Sequence, residues 1–355
     1  MVEVSGGAVL VVERSGAGAG VDGAEGPLVD GVIKEYARPG QPLVWPGQFV
    51  FGYHSGDNDD ALDPGQVKSG GPEWTRDGSL LVFRRLSQDV AVFRHTTSAE
   101  SARLRALPGF EDMTEDRLRA KIVGRWPDGS ALARTPDHPD TVEATDMLCM
   151  NAFDYGRDWA PAEVCSDPLV AKEEMGAFPS MSELRTVAGA SADNSGVRCP
   201  TFAHIRKVNP RGVNTDQADA PLSTRQFQMM RRGIPWGAMY SEANVNDDGD
   251  RGLLFMSYQT SIDRQFEKLT IKWMNLDDPP EGPSGVDLLI GQNNNGGMRQ
   301  AVLRSDDPAH TDATAPISTD TPWVVATGGE YLFAPSVSAL KRFAHQPPEQ
   351  ASDVR

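Results

Sequence analysis

Three segments of this chain share one hydrophobic pattern, a short apolar run followed by apolar residues three or four positions apart. The paired segments are 79–86 with 88–104, 253–258 with 261–274, and 331–334 with 337–343. In the second helical segment, Ile262, Phe266, Leu269 and Trp273 fall at helical spacing. A short apolar run is typical of a buried strand, and the longer spacing is typical of an amphipathic helix. Each pair therefore predicts a strand followed by a helix.

The order of these elements predicts the fold class. Strands and helices interleave, but no ladder of parallel βαβ units of roughly thirty residues repeats along the chain. The pattern therefore favours an α+β fold, in which helices cover one face of an antiparallel sheet.

The remaining segments carry little regular pattern. Residues 1–38 are rich in Gly, Ala and Val, with one apolar run at 8–12 that is compatible with a strand, and 56–71 is interpreted as a solvated loop. Residues 152–197 form a long irregular stretch interrupted by Pro and Gly. Such stretches are usually functional lids or flexible excursions. Because this one leads to His204, it is expected either to pack beside the functional site or to be a surface loop without a role.

Composition narrows the function classes. The chain has 355 residues, 39% of them hydrophobic, which is enough for one or two sizeable cores. Its formal net charge of −16 argues against nucleic acid or an anionic membrane as a partner. No run approaches the roughly 18 apolar residues of a membrane-spanning helix, and the first residues lack a signal-peptide pattern. We therefore expect a cytoplasmic protein whose cysteines, Cys149, Cys165 and Cys199, are reduced thiols, since they are too few and too irregular for a disulfide framework or a zinc site.

One segment carries candidate chemistry: residues 198–211, RCPTFAHIRKVNPR, place His204 among basic residues. A neutral imidazole is a common protein ligand of haem iron, and nearby cationic groups balance the two propionates of a buried porphyrin. However, no second histidine lies at metal-ligand spacing. A lone histidine in a mixed segment is more often a surface or structural residue, so spacing alone leaves both interpretations open.

Longer segments carry a family resemblance. They are 39–53 (PGQPLVWPGQFVFGY), 226–237 (QFQMMRRGIPWG), 251–262 (RGLLFMSYQTSI), 286–292 (VDLLIGQ) and 331–336 (YLFAPS). Together with 198–211, and in this order, they make the chain resemble the dye-decolourising peroxidases from about Pro39 to about Phe343. The resemblance implies a ferredoxin-like domain of the dimeric α+β barrel type and a haem b cofactor. It also implies hydrogen peroxide and an aromatic reductant as partners.

The resemblance assigns roles to three polar residues. His204 matches the haem-ligand histidine in Cys-Pro-x-x-Ala-His-Ile-Arg-Lys, and Asp287 lies in the segment that supplies a carboxylate to that histidine. Arg231 matches the distal arginine, at the start of an Arg-x-Gly turn before Ile-Pro. A fixed guanidinium over an open iron position can hydrogen-bond peroxide and stabilise the charge that develops as it is cleaved. The alternative for Arg231 is a surface arginine in a turn.

Four further residues are weaker candidates for cofactor binding. Leu253 and Phe255 match apolar residues that line the distal pocket in the family, although core packing explains them equally well. Arg206 and Arg211, with Lys207 between them, are candidates for propionate contacts. Basic residues this close together are more often a solvated face.

The family's distal aspartate lies in a Gly-x-x-Asp-Gly motif that this sequence lacks. The aspartates followed by glycine are Asp22, Asp30, Asp77, Asp128 and Asp248, and none has glycine three positions earlier. Asp30 is nearest by position, with Gly26 one residue away from the required place. We therefore expect a divergent N-terminal stub at 1–38, a haem-binding domain at 39–345 and a disordered tail at 346–355, with most of the family's first domain missing.

Two functions stay open at this point. The first is a haem peroxidase that oxidises phenolic or dye-like substrates with hydrogen peroxide. The second, suggested by the missing motif, is a non-catalytic or weakly active haem-binding pseudo-peroxidase. Under either, we expect no nucleic-acid or membrane partner, and a homo-oligomer is compatible with the sequence.

Overall fold

The computed structural model describes most of the chain between residues 71 and 345 and short pieces before it. The described ranges are 2–4, 8–10, 28–29, 32–33, 46–53, 71–145, 150–158, 162–164, 185–187, 189–212, 227–241, 249–282, 285–292 and 298–345. None of the helices in these ranges is both long and apolar enough to cross a membrane.

Twelve strands and six helices longer than one turn are described. The strands are β1 (Val2–Val4), β2 (Ala8–Leu10), β3 (Leu28–Val29), β4 (Val32–Ile33), β5 (Ser79–Gln88), β6 (Ala162–Val164), β7 (Arg185–Val187), β8 (Met230–Gly237), β9 (Arg251–Gln259), β10 (Arg299–Arg304), β11 (Thr314–Thr319) and β12 (Val324–Ala334). The helices are α1 (Val90–Leu104), α2 (Glu115–Val123), α3 (Thr141–Thr145), α4 (His204–Val208), a π-helix (Ile262–Met274) and α5 (Val337–His345).

The central element is a four-stranded antiparallel sheet with the order β12-β5-β9-β8. Along the chain, the four strands and two helices occur in the order β5, α1, β8, β9, the π-helix and β12. This is the β-α-β-β-α-β order of a ferredoxin-like fold, with β5 and β9 inside the sheet. The described elements α2, α3 and α4 are inserted between α1 and β8, so the insertion carries His204 to the sheet.

Side chains alternate between the two faces of this sheet. On β5, Arg84 and Leu86 point to one face, where the π-helix packs; Arg84 lies 4.9 Å from the ring of Phe266 on that helix. We call this the helix face. Leu81, Phe83 and Arg85 fall on the opposite side, the open face.

Capping residues explain where helices α1 and α2 begin and where α2 ends. The carboxylate of Asp89 accepts the Val92 N–H at the start of α1, and the hydroxyl of Thr114 accepts the Arg117 N–H at the start of α2. Helix α2 ends at Gly124, whose φ of +96° is accessible to glycine without strain. A Cβ at this position would lie 2.3 Å from the Ile205 side chain. The glycine therefore also allows α4 to approach the end of α2.

Two buried clusters fix the insertion. The first joins α1 and α2 to the β10–β11 hairpin, whose buried and exposed residues alternate strictly, and includes Phe202 and Leu288. The second lies beneath α4 and includes Phe153, Tyr155 and Ala203. Because Phe202 and Ala203 directly precede His204, both clusters hold the start of α4 in place.

The six predicted elements are present with shifted ends: the strands reach 79–88, 251–259 and 324–334, and the helices 90–104, 262–274 and 337–345. The apolar run at 8–12 contains β2. Two predictions were wrong. The stretch 152–197 is not wholly irregular, because β6 pairs with β7 within it. The supposed turn at 231–233 is part of strand β8. Of the predicted loop 56–71 only Gly71 is described. Cys149, Cys165 and the tail 346–355 lie outside the described residues, while Cys199 is a buried free thiol.

Candidate functional site

A cavity of about 470 Å³ lies between the helix face of the sheet and the layer formed by α4 and the π-helix. Its apolar wall comprises Leu86, Val208, Met229, Leu253, Phe255, Phe266, Leu269, Ile271, Met274, Ile290 and Ala326. Its polar and charged wall comprises Arg84, His204, Asn209, Arg211, Gln228, Arg231, Glu267, Thr270, Asn275, Gln292 and Tyr331. A largely apolar cavity of this size with a few convergent polar groups is typical of a ligand site.

His204 reaches the cavity from the helical layer, as the first residue of α4. Its Nδ1 lies 2.7 Å from Oδ2 of Asp287, a residue 83 positions later in the chain. The side chain of His204 is 26% exposed, whereas that of Asp287 is fully buried. A carboxylate beside Nδ1 favours the tautomer that is protonated there, so Nε2 remains the nitrogen with a lone pair for a ligand.

Backbone contacts hold Asp287 in position to accept from His204. Its Oδ1 accepts the N–H of Leu289 at 2.9 Å and the N–H of Ile290 at 3.2 Å. The carboxylate thus has one oxygen for the backbone and one for the imidazole. A buried carboxylate needs such partners, since its burial is otherwise costly. The result is a histidine whose ring is oriented from behind by an anion.

Lys207 fastens α4 to the end of the π-helix. Its buried Nζ donates to the carbonyl oxygens of Trp273, Leu276 and Pro279, each at 2.8 Å. An ammonium group at a helix C-terminus satisfies carbonyls that lack helical partners and interacts favourably with the helix dipole. Burial lowers the pKa of Lys207 to about 8, although nearby carboxylates including Asp287 oppose the shift. Lys207 therefore joins α4 to the π-helix and is not among the residues of the cavity wall.

Arg206 also points away from the cavity, so the predicted propionate contact does not fit the structure. Its fully buried guanidinium forms ion pairs with Glu281, at 2.5 Å, and with Asp193, at 3.3 Å. It also donates to the carbonyl of Cys199 at 3.0 Å and lies 4.4 Å from the ring of Tyr155. Sequence alone could not separate Arg206 from Arg211, because its carboxylate partners come from distant segments.

Arg211, in contrast, lines the cavity. Its guanidinium lies 4.3 Å from the ring of Phe153 and donates to the Asn151 carbonyl at 2.7 Å. Burial lowers its pKa to about 10, which leaves it charged at neutral pH. Phe153, in the described part of the irregular stretch, therefore contacts an arginine of the cavity wall.

The sheet contributes Arg231, Leu253 and Phe255 to the opposite wall from α4. Arg231 lies on edge strand β8 opposite Ser257 of β9, and it remains exposed at the side of the cavity. Strand alternation turns the next residue, Arg232, to the open face. The structure therefore places Arg231, and not Arg232, in the cavity wall, and brings it together with the two predicted apolar residues.

Three charged or phenolic residues of the cavity wall were not predicted from the sequence: Arg84, Tyr331 and Glu267. The Arg84 guanidinium lies between two aromatic rings, 4.6 Å from that of Tyr331 and 4.9 Å from that of Phe266. The Tyr331 hydroxyl donates to Glu267 at 2.9 Å. Alternation along β5 could have singled out Arg84, since it shares a face with buried Leu86.

Neither of the described Asp-Gly aspartates lines the cavity. Asp77 accepts a 2.6 Å hydrogen bond from the Tyr53 hydroxyl, and Asp128 accepts from the hydroxyl of Ser130. Asp22, Asp30 and Asp248 lie outside the described residues. Among the residues that the structure describes, Glu267 is the carboxylate in the cavity wall.

The site combines one oriented imidazole, an apolar interior and an excess of positive charge. Arg84, Arg211 and Arg231 contribute three guanidinium groups, against the single described carboxylate of Glu267. Within the described ranges, no group of three His, Cys, Asp or Glu side chains could hold a metal ion among themselves. Fold and site together define an α+β protein of the ferredoxin-like class with an interlayer ligand cavity.

Comparison with known proteins identifies the family. No protein-family model matches the chain. It is 30% identical over 335 residues to Peroxidase 2 of Mycetinis scorodonius, covering 90% of this chain and 55% of that protein. It is 31% identical over 341 residues to a dye-decolorizing peroxidase of Mycena epipterygia, covering 91% and 56% of the two. The chain therefore belongs to the dye-decolourising, or DyP-type, peroxidase family.

Solved structures agree with this assignment. A fungal DyP-type peroxidase from Auricularia auricula-judae superposes with a TM-score of 0.58 at 30% sequence identity, over 85% of this chain and 58% of that one. A dye-decolorizing peroxidase in complex with 2,6-dimethoxyphenol gives a TM-score of 0.57 at 27% identity, over 89% and 63%. The predicted ferredoxin-like fold is thereby confirmed. The chain spans little more than half the length of the curated relatives it matches.

Proposed function

We propose that this chain is a haem peroxidase that uses hydrogen peroxide to oxidise phenolic or dye-like substrates. The observation that carries the proposal is the pair formed by His204 and buried Asp287 at the wall of a largely apolar cavity. Family membership supports the same reaction, and a family member has been crystallised with 2,6-dimethoxyphenol. The comparisons give no support to the alternative of a non-catalytic pseudo-peroxidase.

The residues of the cavity fit haem b. His204 would hold the haem iron through Nε2, and Asp287 would fix the ring and make it more electron-rich. Leu253, Phe255 and the other apolar residues suit the faces of the porphyrin. Arg211 is positioned among the wall residues to balance a propionate, a role for which we do not retain Arg206. When bound, haem supplies the redox chemistry of peroxide reduction.

On the sheet side, Arg231 would act on the bound peroxide. Its guanidinium stays charged at working pH and presents several donors, so it can stabilise negative charge on the departing oxygen. Glu267 is a carboxylate that can hold or release a proton in the same cavity, and its hydrogen bond from Tyr331 fixes its position. Apolar Leu253 and Phe255 would limit the access of water to this wall.

The proposal is tested by turnover. The purified chain, supplied with haem, should oxidise 2,6-dimethoxyphenol and an anthraquinone dye when hydrogen peroxide is added. The Arg231→Leu variant should retain haem and lose most of this activity. A protein that binds haem stoichiometrically but shows no turnover above free haem would contradict the proposed function.

A further inference from the structure

Arg84 is the arginine of the described cavity wall that has no role in the reaction proposed above. Its guanidinium extends from β5 towards edge strand β12 and lies between the rings of Phe266 and Tyr331. Gly329 is opposite Arg84 on β12, and a Cβ at that glycine would lie 2.6 Å from the arginine side chain. The two rings and the bare backbone at 329 therefore fix the guanidinium in one place.

The charge of Arg84 has no carboxylate partner in the part of the chain that the structure describes. Its Nη1 donates to the backbone carbonyl of Phe83 at 2.9 Å. Glu267, in the same wall, accepts instead from the Tyr331 hydroxyl. A guanidinium presents five N–H donors in a planar fork that matches a carboxylate. Arg84 therefore keeps donors for an anion that enters the cavity.

Arg84 and Tyr331 lie at one end of the cavity, and Arg231 lies at the other. A row of helix-face residues crosses the sheet from Tyr331 on β12, through Val82 and Ser257, to Arg231 on β8. Three strand spacings, about 14 Å, separate the two ends of this row. The cavity wall thus carries positive charge at two separate ends.

Arg211 belongs to the Arg231 end. Arg211 and Arg125 donate to the same Oδ1 of Asn151, at 3.3 and 2.8 Å. Burial lowers the pKa of Arg231, and the charge of Arg125 lowers it further, so Arg125 is close to both cavity arginines of this end. The two propionates of haem b leave the porphyrin along one edge. Arg211 suits that edge, which leaves Arg84 at the far end for a different ligand.

We propose that Arg84 and Tyr331 form a subsite for the reducing substrate, and that this subsite selects aromatic compounds that carry a carboxylate. The inference rests on the proposed peroxidase function. The guanidinium of Arg84 pairs with the carboxylate, and the ring of Tyr331 provides a surface for the aromatic part. Tyr331 is 42% exposed and stands on an edge strand, where a small aromatic compound meets it from solvent.

Two phenols that differ in one carboxylate test this selection. They are 4-hydroxy-3,5-dimethoxybenzoate and neutral 2,6-dimethoxyphenol, and the measured quantity is the ratio of their kcat/KM values for the haem-loaded chain. Arg84→Gln should lower this ratio about tenfold, the scale of one lost hydrogen bond to a charged group. Arg84→Lys should lower it less, because the charge is kept. Arg304→Gln, at an exposed position on the β10–β11 hairpin, is the matched control and should leave the ratio unchanged.

A binding measurement tests the subsite without turnover. The ligands are 3,5-dimethoxybenzoate, which lacks the phenol, and the neutral 3,5-dimethoxybenzamide, each titrated calorimetrically into the haem-loaded chain. The parent chain should bind the benzoate about tenfold more tightly than the amide, and Arg84→Gln should bind the two equally. Both ratios compare two ligands on one preparation, so a partly unfolded variant does not change them.

A haem propionate is the alternative source of a carboxylate for Arg84. Titration of the Soret absorbance separates the two sources, and we expect the Kd of Arg84→Gln for haem to stay close to that of the parent. A chain that binds the benzoate as predicted but oxidises neither phenol would contradict the proposed function and support the subsite. A kcat/KM ratio unaltered by Arg84→Gln, equal binding of benzoate and amide by the parent, or haem affinity weakened tenfold or more in Arg84→Gln would each overturn the subsite.

Discussion

Replacing the Asp287 carboxylate by an amide should weaken haem binding through the tautomer of His204. In Asp287→Asn, the amide atom that faces the backbone N–H groups of Leu289 and Ile290 must be the oxygen, because only the oxygen can accept their hydrogen bonds. The reversed orientation would point an NH₂ group at two N–H donors and leave both unsatisfied, at about 1 to 3 kcal/mol each. The amide NH₂ therefore faces Nδ1 of His204 and donates to it.

The consequence for His204 is that its remaining proton moves to Nε2, the nitrogen needed for the iron. Loss of such an orienting partner typically costs 10- to 100-fold in metal affinity, which corresponds to about 1.4 to 2.7 kcal/mol. We expect the Kd for haem, measured by titration of the Soret absorbance, to rise by that factor. Far-ultraviolet circular dichroism should stay unchanged, because the variant is isosteric.

A second His–Asp pair in the same protein provides the matched control. His310 Nδ1 lies 2.6 Å from Oδ2 of Asp307, whose Oδ1 accepts the Ala309 N–H at 2.8 Å. The pair thus repeats the local geometry of His204 and Asp287, but at the surface and outside the cavity wall. Asp307→Asn should leave haem affinity unchanged. If Asp287→Asn binds haem within twofold of the parent chain and with the same spectrum, the proposed orienting role is wrong.

Three further predictions follow from the cavity and its support. Arg231→Leu should slow the reaction of the haem-loaded protein with peroxide about 100-fold in stopped-flow mixing, whereas Arg232→Leu should have a far smaller effect; equal effects would contradict the assignment. Glu267→Gln should lower kcat/KM for peroxide about 100-fold or more, the scale of lost acid–base catalysis, without changing haem affinity. An unchanged kcat/KM would exclude Glu267 from proton transfer. Lys207 has a pKa of about 8 in the folded protein, below its ordinary 10.5. The unfavourable free energy of burying its charge is therefore fully present below pH 8 and disappears as the pH rises to 10.5. Relative to Lys207→Met, the parent chain should therefore gain up to about 3 kcal/mol in free energy of unfolding over this range, measured by urea denaturation; parallel pH profiles would contradict the shift.

The sequence predicted the helices and strands that have a local apolar periodicity. Prediction failed where a tertiary contact or a neighbouring strand determines the structure. The strand at β5 and the π-helix were found from their apolar spacing. The family resemblance predicted a turn at 231–233, but these residues belong to strand β8, which also contains Pro235. Proline is tolerated in a sheet at an edge strand, where its missing N–H is not needed, and β8 is such an edge.

The sequence likewise predicted some residues of the candidate site and missed others. His204, Arg231 and Asp287 came from a family resemblance, and no pattern within the sequence links His204 to a residue 83 positions away. Arg206 and Arg211 look equivalent in sequence, yet Glu281 holds one of them away from the cavity. Arg84 was overlooked because its role depends on rings contributed by the π-helix and β12.

The most direct test of the central claim is haem binding by His204→Ala. The parent chain should bind one haem and show a Soret band and the spectrum of a histidine-ligated ferric haem, and the variant should lose stoichiometric binding. His310→Ala, which removes the surface histidine, should behave as the parent. Added imidazole should restore the spectrum of the His204→Ala protein if the cavity is otherwise intact. A His204→Ala protein that binds haem as tightly, with an unchanged spectrum, would show that His204 is not the ligand and would contradict the account.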